Sequence, residues 1–335
     1  MIYREKDLRS SKLLQIDRHE RKESGTCPRL VGMTSPNLTK TQFSIHPQTL
    51  LGHVSLTVAS LENQIAFYQQ AMGFQVHWRD GNRAGLGAGG AELLRLVEEP
   101  NVKKYSRVTG LYHAAYLFPN QRELARAMAR LFVLKYPNSP TDHIMTKTTY
   151  LDDLEANGIE LYAESPEDGT WSLKDGQYIT RRTDGSLSNG REPLDLDELF
   201  THLKEDDKVD VPIPADARVG HVHLHVRDLD EAVDFYHGVL GFDVMGVVKE
   251  FQMAFVSAGG YHHHIGLNTW QGRGAPPPPA DATGLRHFTV ELPDQKALEE
   301  VIARVDASGL ASNLTGDGLL VHDPSQNGVV LRVKE

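Results

Sequence analysis

Two stretches of the chain are nearly superimposable: "LGHVSLTVASLENQIAFYQQAMGFQV", residues 51–76, and "VGHVHLHVRDLDEAVDFYHGVLGFDV", residues 219–244. They align without a gap, so that the Gly-His pair containing His53 falls on the pair containing His221, and each copy later reads Phe-Tyr. Self-similarity of this length marks a duplicated structural unit rather than chance. The fold is therefore expected to contain at least two copies of one supersecondary motif.

Each copy carries the signals of a strand followed by a helix. The segments "HVSLTV" and "HVHLHV" alternate polar and apolar residues, which is typical of a half-buried strand. Leu61, Ile65, Tyr68 and Met72 then follow at steps of four, three and four, which places them on one helix face. Gly73 comes next and predicts the helix end. Short apolar segments separated by glycine turns complete the unit.

A second pair of stretches has the same design. "GLYHAAYLFPNQRELARAMARL" begins at Gly110 and "GLRHFTVELPDQKALEEVIARV" begins at Gly284, and His113 corresponds to His287. Each reads as a strand, a turn with proline and an amphipathic helix. The chain thus predicts an α+β protein with four βαβββ units, grouped as two tandem pairs.

These units predict the domain boundaries. We expect residues 46–165 to form a first domain and residues 218–335 a second one. Residues 166–217 are polar and rich in turns, and we interpret them as a linker and covering segment with one short helix near residues 194–204. Residues 1–45 are expected to be a poorly ordered extension. Met33 is a possible natural start, and a basic targeting arm is the alternative interpretation.

Composition limits the partners. The net charge of −10 argues against nucleic acid, because phosphate binding needs a basic face. No stretch of about 18 uncharged apolar residues is present, so we expect no membrane span. The single cysteine, Cys27, excludes an internal disulfide and is compatible with the cytoplasm. A homo-oligomer is left open.

Four such units with the pattern "GH-x-x-L-x-V…FY…GF" resemble the vicinal oxygen chelate superfamily, which includes glyoxalases and extradiol dioxygenases. The resemblance implies two half-open β-barrels, one around a divalent metal. In that superfamily the usual ligands are two first-strand histidines and one last-strand glutamate. On the first pair of units those positions are His53, His113 and Glu160. Two imidazoles with one carboxylate suit Fe(II), and the same ligands accept Mn(II).

The second pair of units serves as an internal control. "LDDLEANGIELY", residues 151–162, aligns with "VHDPSQNGVVLR", residues 321–332. Glu160 falls on a valine, Tyr150 on a leucine and His143 on an asparagine. We therefore expect the second barrel to be structural. An alternative metal site involves the histidines of "YHHHIGL", His262–His264, with His221, His223 and His225; we interpret these as interior or interface histidines instead.

The stretch "TDHIMTKTTYLDDLEANGIELY", residues 141–162, resembles the signature of extradiol ring-cleavage dioxygenases, and the chain is most similar to the catechol-2,3-dioxygenase branch. The resemblance implies that His143 carries the proton in catalysis, with Tyr150 as its helper and Glu160 as a ligand. Three positions depart from the signature, all at turn or packing sites: Thr149, Leu154 and Ala156, the last of which replaces a glycine.

The resulting prediction is a non-haem Fe(II) extradiol dioxygenase that takes O2 and a catechol, or a substituted catechol, to a ring-opened semialdehyde. One alternative is a glyoxalase-like lyase or isomerase, which does not need the pair of His143 and Tyr150. The other alternative is a non-enzymatic protein of the same fold that binds a small molecule.

Overall fold

Each repeat unit begins with a strand, continues into a helix and returns as a three-stranded antiparallel meander. A computed structural model describes residues 43–174 and 177–334 of the chain. The predicted extension, residues 1–45, lies outside these ranges except for its last three residues. Of those, Ile45 is buried and donates its backbone N–H to the carbonyl of Gly241. The fold class predicted from the repeat, α+β with four βαβββ units, is confirmed.

The first two units occupy the N-terminal half. The first consists of β1 (Leu50–Val58), α1 (Leu61–Met72), β2 (Gln75–Asp80), β3 (Arg83–Ala88) and β4 (Ala91–Glu98). The second consists of β5 (Gly110–Leu117), α2 (Gln121–Val133), β6 (Ser139–Asp142), β7 (Thr146–Asp152) and β8 (Gly158–Glu164).

The last two units repeat this order. The third has β13 (Arg218–His225), α4 (Leu229–Val233) continuing as a π-helical turn (Asp234–Val239), β14 (Asp243–Val248), a 3-10 turn (Lys249–Phe251), β15 (Met253–Ser257) and β16 (Ile265–Asn268). The fourth has β17 (Gly284–Leu292), α5 (Gln295–Ser308), β18 (Ser312–Thr315), β19 (Gly318–His322) and β20 (Gly328–Val333).

The segment between the halves carries more structure than the sequence predicted. It contains β9 (Gly169–Lys174), β10 (Gln177–Arg182), β11 (Leu187–Ser188), β12 (Glu192–Pro193) and α3 (Leu196–Phe200). The short helix lies where it was expected, although it is only five residues long. The first three of these strands form a separate small sheet, while β12 pairs with β6.

Helix boundaries follow from local side chains. Ser60 caps α1 by accepting a hydrogen bond from the backbone N–H of Asn63, and Gly73 ends the helix with φ of +73°. Asp294 and Gly309 do the same for α5, with φ of +72° at the glycine. Short polar caps satisfy otherwise unpaired N–H groups, and glycine adopts the left-handed conformation without a steric penalty. In the part of the chain that the structure describes, no helix is long and apolar enough to cross a bilayer.

The units do not combine as the two predicted tandem pairs. The first and fourth units form an eight-stranded sheet in the order β18-β19-β20-β17-β1-β4-β3-β2. The second and third units form a nine-stranded sheet in the order β12-β6-β7-β8-β5-β13-β16-β15-β14. Neither sheet closes on itself, which agrees with the half-open arrangement. The expected grouping, with residues 46–165 as one barrel and 218–335 as the other, differs from this pairing.

The difference has a simple physical origin. In every unit the first strand pairs in parallel with its own last strand, which leaves its other edge free. The free edge of β1 is filled by β17, and that of β5 by β13. Because β5 and β17 carry the same Gly-Leu-x-His pattern, local patterning offers β1 two equivalent partners. The pairing of distant strands therefore decides which units share a sheet. The local periodicity of the sequence does not reveal this.

Alternation on the central strands separates core from cavity. Val54, Ala114, Val222 and Phe288 each point into one continuous hydrophobic core shared by both sheets. Residues on the opposite face of the same strands line the concave sides of the sheets. The histidine that precedes or follows each apolar residue therefore faces away from the core, as the polar–apolar alternation predicted.

One tight turn recurs in both halves and explains a departure noted in the sequence. Asp153 accepts hydrogen bonds from the backbone N–H groups of Glu155 and Asn157, and from the hydroxyl of Tyr68. Asp323 holds the equivalent turn in the fourth unit. The turn forces Ala156 to φ of +60° and Gln326 to +67°. The position favours glycine for this reason, and this chain accommodates alanine there at some cost.

We predict that Ala156→Gly stabilises the protein. A left-handed conformation costs a residue with a Cβ roughly 1–2 kcal/mol, and the extra freedom of glycine in the unfolded chain costs about 0.4–1 kcal/mol. The net gain is about 0.5–1 kcal/mol, measurable as a higher midpoint in urea denaturation. Gln326→Gly should behave alike. Ala129→Gly, in the middle of α2, is the control and should lose about 1 kcal/mol; an equal loss at Ala156 would contradict the explanation.

Candidate functional site

The register of the nine-stranded sheet brings three ligand-type side chains to its concave face. Ala115 on β5 pairs with His221 on the antiparallel strand β13 and with Glu160 on the parallel strand β8. Paired residues point to the same side of a sheet, as do residues two apart on one strand. Glu160, His221 and His113 therefore share one face, with the small side chain of Ala115 between them.

These side chains converge to a triangle of donor atoms. His113 Nε2 lies 3.1 Å and His221 Nε2 lies 3.0 Å from Oε2 of Glu160. The two Nε2 atoms are 3.3 Å apart. All three residues are buried, each with 5% or less of its surface exposed. His113, Glu160 and His221 form one of the groups in the described residues whose spacing could hold a metal ion. These three residues are called the donor group below.

Glu160 is held as a carboxylate. Burial alone raises the pKa of its carboxyl group, but the charges and hydrogen bonds of His221 and His113 outweigh burial and keep that pKa well below its usual range. The hydroxyl of Thr148 donates to Oε1 at 2.8 Å, which leaves Oε2 directed at the two imidazoles. An orienting hydrogen bond of this kind is typical of carboxylates that bind metals.

Aromatic packing fixes the two imidazoles. The ring of His113 lies 5.6 Å from that of Tyr150 and 5.2 Å from that of His223, and the ring of His221 lies 5.1 Å from Tyr162. Gly220 makes room for this contact, since a Cβ there would lie 1.8 Å from the Tyr162 hydroxyl. Burial lowers the pKa of His221, and the charge of Glu160 acts against this effect.

The donor set fits a divalent metal. Neighbouring ligand atoms around a six-coordinate ion at about 2.1 Å lie roughly 3.0 Å apart, by the geometry of an octahedron. The three atoms described above are 3.0 to 3.3 Å apart. Two imidazoles and one carboxylate on one face match the ligand set of non-haem Fe(II) oxygenases, which leaves other positions open.

The prediction that His53 completes this group is wrong. His53 lies on β1 in the eight-stranded sheet, where its neighbours are His287 and Asp317. His221 occupies the position that the sequence analysis assigned to His53, because β5 pairs with β13 and not with β1. The repeat itself contained the signal, since His221 aligns with His53, but only the long-range pairing distinguishes the two.

His143 and Tyr150 stand beside the donor group on the same sheet. His143 Nε2 lies 2.8 Å from the Tyr150 hydroxyl, and His143 Nδ1 lies 2.5 Å from the carbonyl oxygen of Gly190. Because that carbonyl can only accept, Nδ1 carries a proton and donates it. In the neutral ring Nε2 then holds the lone pair, which faces Tyr150. The backbone of Gly190 thus fixes the tautomer of His143.

Burial and the charge of Glu160 raise the pKa of Tyr150 well above its ordinary value, so its phenol stays protonated. Tyr150 is also paired with Glu160 across β7 and β8, which fixes its distance from the donor group.

A strained hairpin turn presents His143. Ile144, the next residue, has φ of +73°, a conformation that is rare for a β-branched side chain. Its backbone N–H donates to Asp142 at 2.6 Å, and its carbonyl accepts from Ser165 at 2.6 Å. Lys147 joins the turn by contacting Asp142 and the side chain of Asp168. Strain that persists only because surrounding bonds enforce it is common beside functional residues.

The donor group and the His143–Tyr150 pair open into one cavity of about 510 Å³. Aromatic and methionine side chains contribute to its wall, among them Trp171, Phe251, Met253, Phe255 and Trp270. Of the lysine, arginine, aspartate and glutamate side chains in the described residues, only Glu160 and Arg191 line it. The cavity therefore combines aromatic surface with histidines and carries few charged side chains.

The run of three histidines also reaches this cavity, although not as a strand. The chain turns before β16 begins at Ile265, so both His262 and His263 face His221, at ring distances of 6.2 and 4.2 Å. His264 points away and contacts the Ser257 hydroxyl at 2.9 Å. His262 and His263 therefore line the pocket beside the donor group, while His264 is an interior histidine.

The inserted segment contributes residues that sequence reasoning missed. Gly190 supplies the carbonyl for His143, while Asn189, Arg191 and Trp171 line the cavity. The segment was interpreted as a linker and cover because it lacks periodicity. Its Asn-Gly-Arg turn was visible in the sequence, but nothing local connects that turn to a histidine 47 residues earlier.

Comparison with known proteins gives the family. A model described as the Glyoxalase/Bleomycin resistance protein/Dioxygenase superfamily matches residues 50–161 and 218–327. The match covers more than half of the chain, so the protein belongs to this superfamily.

Two individual proteins are similar over most of their length. The chain is 41% identical over 285 residues to catechol-2,3-dioxygenase of Bacillus subtilis strain 168, covering 84% of this chain and 96% of that one. A crystal structure of a candidate dioxygenase from Bacillus subtilis subsp. subtilis strain 168 matches with a TM-score of 0.57 at 12% identity, covering 86% of both chains. The second likeness concerns the fold alone.

We predict that His221→Ala removes iron from this site. Protein loaded anaerobically with Fe(II) should lose about one equivalent of iron per chain, and catechol-dependent oxygen uptake should fall by at least about 100-fold, because losing a ligand costs more than the 10–100-fold seen for supporting residues. Glu160→Ala should behave in the same way. His322→Ala, on the exposed strand β19, is the control. Full iron and activity in His221→Ala would return His53 to consideration.

Proposed function

We propose that the protein is an Fe(II)-dependent extradiol dioxygenase that cleaves the ring of a catechol beside its hydroxyl groups. The observation that carries the proposal is the buried group of His113, His221 and Glu160 facing the hydrogen-bonded pair of His143 and Tyr150 in one cavity. The similarity to a protein named catechol-2,3-dioxygenase supports the same reaction. Both atoms of O2 enter the product, a ring-opened muconic semialdehyde.

The metal role falls to His113, His221 and Glu160. Fe(II) bound there supplies open positions at which catechol and dioxygen are held next to each other. The same donors accept Mn(II), so the ligand set does not by itself select iron. Glu160 would contribute one negative charge to a divalent ion held there.

His143 is the proton carrier in this proposal. Its Nε2 lone pair accepts the hydrogen bond from Tyr150 at the cavity wall, and the hydrogen bond from Nδ1–H to Gly190 holds the ring there. A neutral imidazole takes a hydroxyl proton from the catechol and returns it to a substrate oxygen later in the reaction. The Gly190 hydrogen bond also stabilises the imidazolium, since Nδ1–H donates in both protonation states.

Tyr150 positions oxygen atoms. Its raised pKa keeps the phenol protonated throughout the reaction, so it acts as a hydrogen-bond donor. In the free protein the phenol donates to His143 Nε2 at 2.8 Å. When His143 is protonated, that bond reverses and the phenolic proton turns to a substrate oxygen. A glyoxalase-type isomerase has no need of this relay.

The decisive experiment is a catechol assay on anaerobically reconstituted protein. We expect a yellow semialdehyde on admission of air and the consumption of one O2 per catechol. An isomerase would consume no oxygen, and a binding protein would show saturable catechol binding without turnover. Absence of oxygen uptake across several catechols, with iron bound, would overturn the proposal.

We predict that His143→Gln retains iron but lowers kcat by about 10²–10⁴-fold, the usual contribution of a proton-transfer group. Tyr150→Phe should lower kcat less, by roughly 10-fold, because it removes one hydrogen bond. His322→Gln is the matched control and should be unaffected. Unchanged kcat in His143→Gln would show that another group moves the proton.

The cavity leads to a prediction about substituents. Catechol fills only part of the 510 Å³, and aromatic side chains such as Trp171, Phe255 and Trp270 contribute to the cavity wall. A phenyl substituent that buries about 80–100 Å² gains roughly 2 kcal/mol at about 25 cal/mol/Å². We therefore expect kcat/KM for a phenyl-substituted catechol to exceed that for catechol by about 10-fold or more. Phe255→Ala should reduce this preference selectively; equal values for both substrates would contradict it.

A further inference from the structure

We propose that the eight-stranded sheet holds a second divalent-metal site, formed by His53, His287 and Asp317 and distinct from the site of the proposed reaction. One donor atom from each of the three residues lies within 4.8 Å of the others. They come from β1, from β17 and from the turn between β18 and β19, so an ion there joins three separate elements. The proposal does not depend on the proposed catalytic function.

Unpartnered buried nitrogen atoms point to a missing ligand. His53 has none of its surface exposed, yet neither of its ring nitrogens has a hydrogen-bond partner among the described residues. Nε2 of His287 is also buried without a partner there, and the two rings are 5.6 Å apart. Buried polar atoms in native proteins are almost always satisfied, by protein, water or an ion. A metal satisfies one nitrogen of each ring at once.

Asp317 lies next to His287 and is held by Arg95. Its Oδ2 lies 4.0 Å from Nε2 of His287 and accepts a hydrogen bond from Arg95 at 2.6 Å. Ligating carboxylates are commonly held by a second hydrogen bond of this kind. Arg95 also contacts Glu92 at 2.7 Å, which shares its positive charge between two carboxylates.

The charged side chains around the two rings are ion-paired. Arg95 binds Glu92 and Asp317, Arg332 binds Glu291, and Arg286 binds Glu99. A cation bound to Asp317 therefore competes with the guanidinium group of Arg95.

This second site lacks the groups that surround the first one. Val330 occupies the position of Glu160, so the carboxylate comes from a hairpin turn instead of the last strand. The counterparts of His143 and Tyr150 are Asn313 and Leu320, which move no proton at neutral pH. Nitrogen and oxygen ligands of this kind suit Zn(II), with water as a fourth ligand.

The experiment counts zinc atoms in untagged, full-length protein. Metal-free protein is incubated with Zn(II), passed through a desalting column and analysed by mass spectrometry. We expect two zinc ions per chain in the wild type and one in Glu160→Ala. In the Glu160→Ala background, Asp317→Asn and His287→Ala should each reduce binding to less than about one fifth of an ion. Zinc should also raise the Tm of Glu160→Ala and leave that of the double variants unchanged.

Two results would overturn the proposal. In the first, Glu160→Ala binds no zinc. In the second, its zinc persists in both double variants, which would place the ion at another group such as His221, His262 and His263. The matched control is His322→Ala in the same background, since it removes an imidazole from the same sheet and should keep one zinc. Asp317→Asn preserves size and the bond to Arg95 through its amide oxygen, so it separates loss of binding from loss of folding.

Discussion

The antiparallel pairing of β5 with β13 is the constraint on which the rest of the site depends. It sets Ala115 opposite His221 and His113 opposite His223. Because β8 pairs with the other edge of β5, Glu160 arrives on the same face. A shift of one residue in either register would turn one donor to the core and leave a buried, unpaired group behind. The register of the paired strands therefore determines which side chains can meet in the donor group.

The sequence predicted the local elements well, because strands and helices follow from periodicities that lie within a few residues. The alternation around His53 and His221, the helix face of Leu61 and Ile65, and the stop at Gly73 all appear in the structure. The grouping of units was not predictable in this way. Four units with interchangeable first strands can join in several ways, and the choice rests on contacts between residues more than a hundred positions apart.

The residues of the candidate site differ in the same way, because those close in sequence were predictable and those brought in by long-range pairing were not. His113, His143, Tyr150 and Glu160 belong to one unit, and the structure brings them together much as their motif implied. His221 lies beyond the inserted segment and was assigned to the wrong barrel. Gly190 acts through its backbone carbonyl. Because every residue has such a carbonyl, the residue type gives no sign of this role. Ala156 is the instructive intermediate case, since its departure from glycine was visible and its positive φ explains why glycine is favoured there.

The pairing of the first unit with the fourth, and of the second with the third, limits how this protein can be divided into fragments. The donor group takes His113 and Glu160 from the N-terminal half and His221 from the C-terminal half, and each sheet likewise draws strands from both halves. A cut in the segment between them yields two fragments that each retain a complete pair of units by sequence and half of each sheet by structure. Each half therefore completes both sheets of the other half. Neither half is expected to fold as an independent domain.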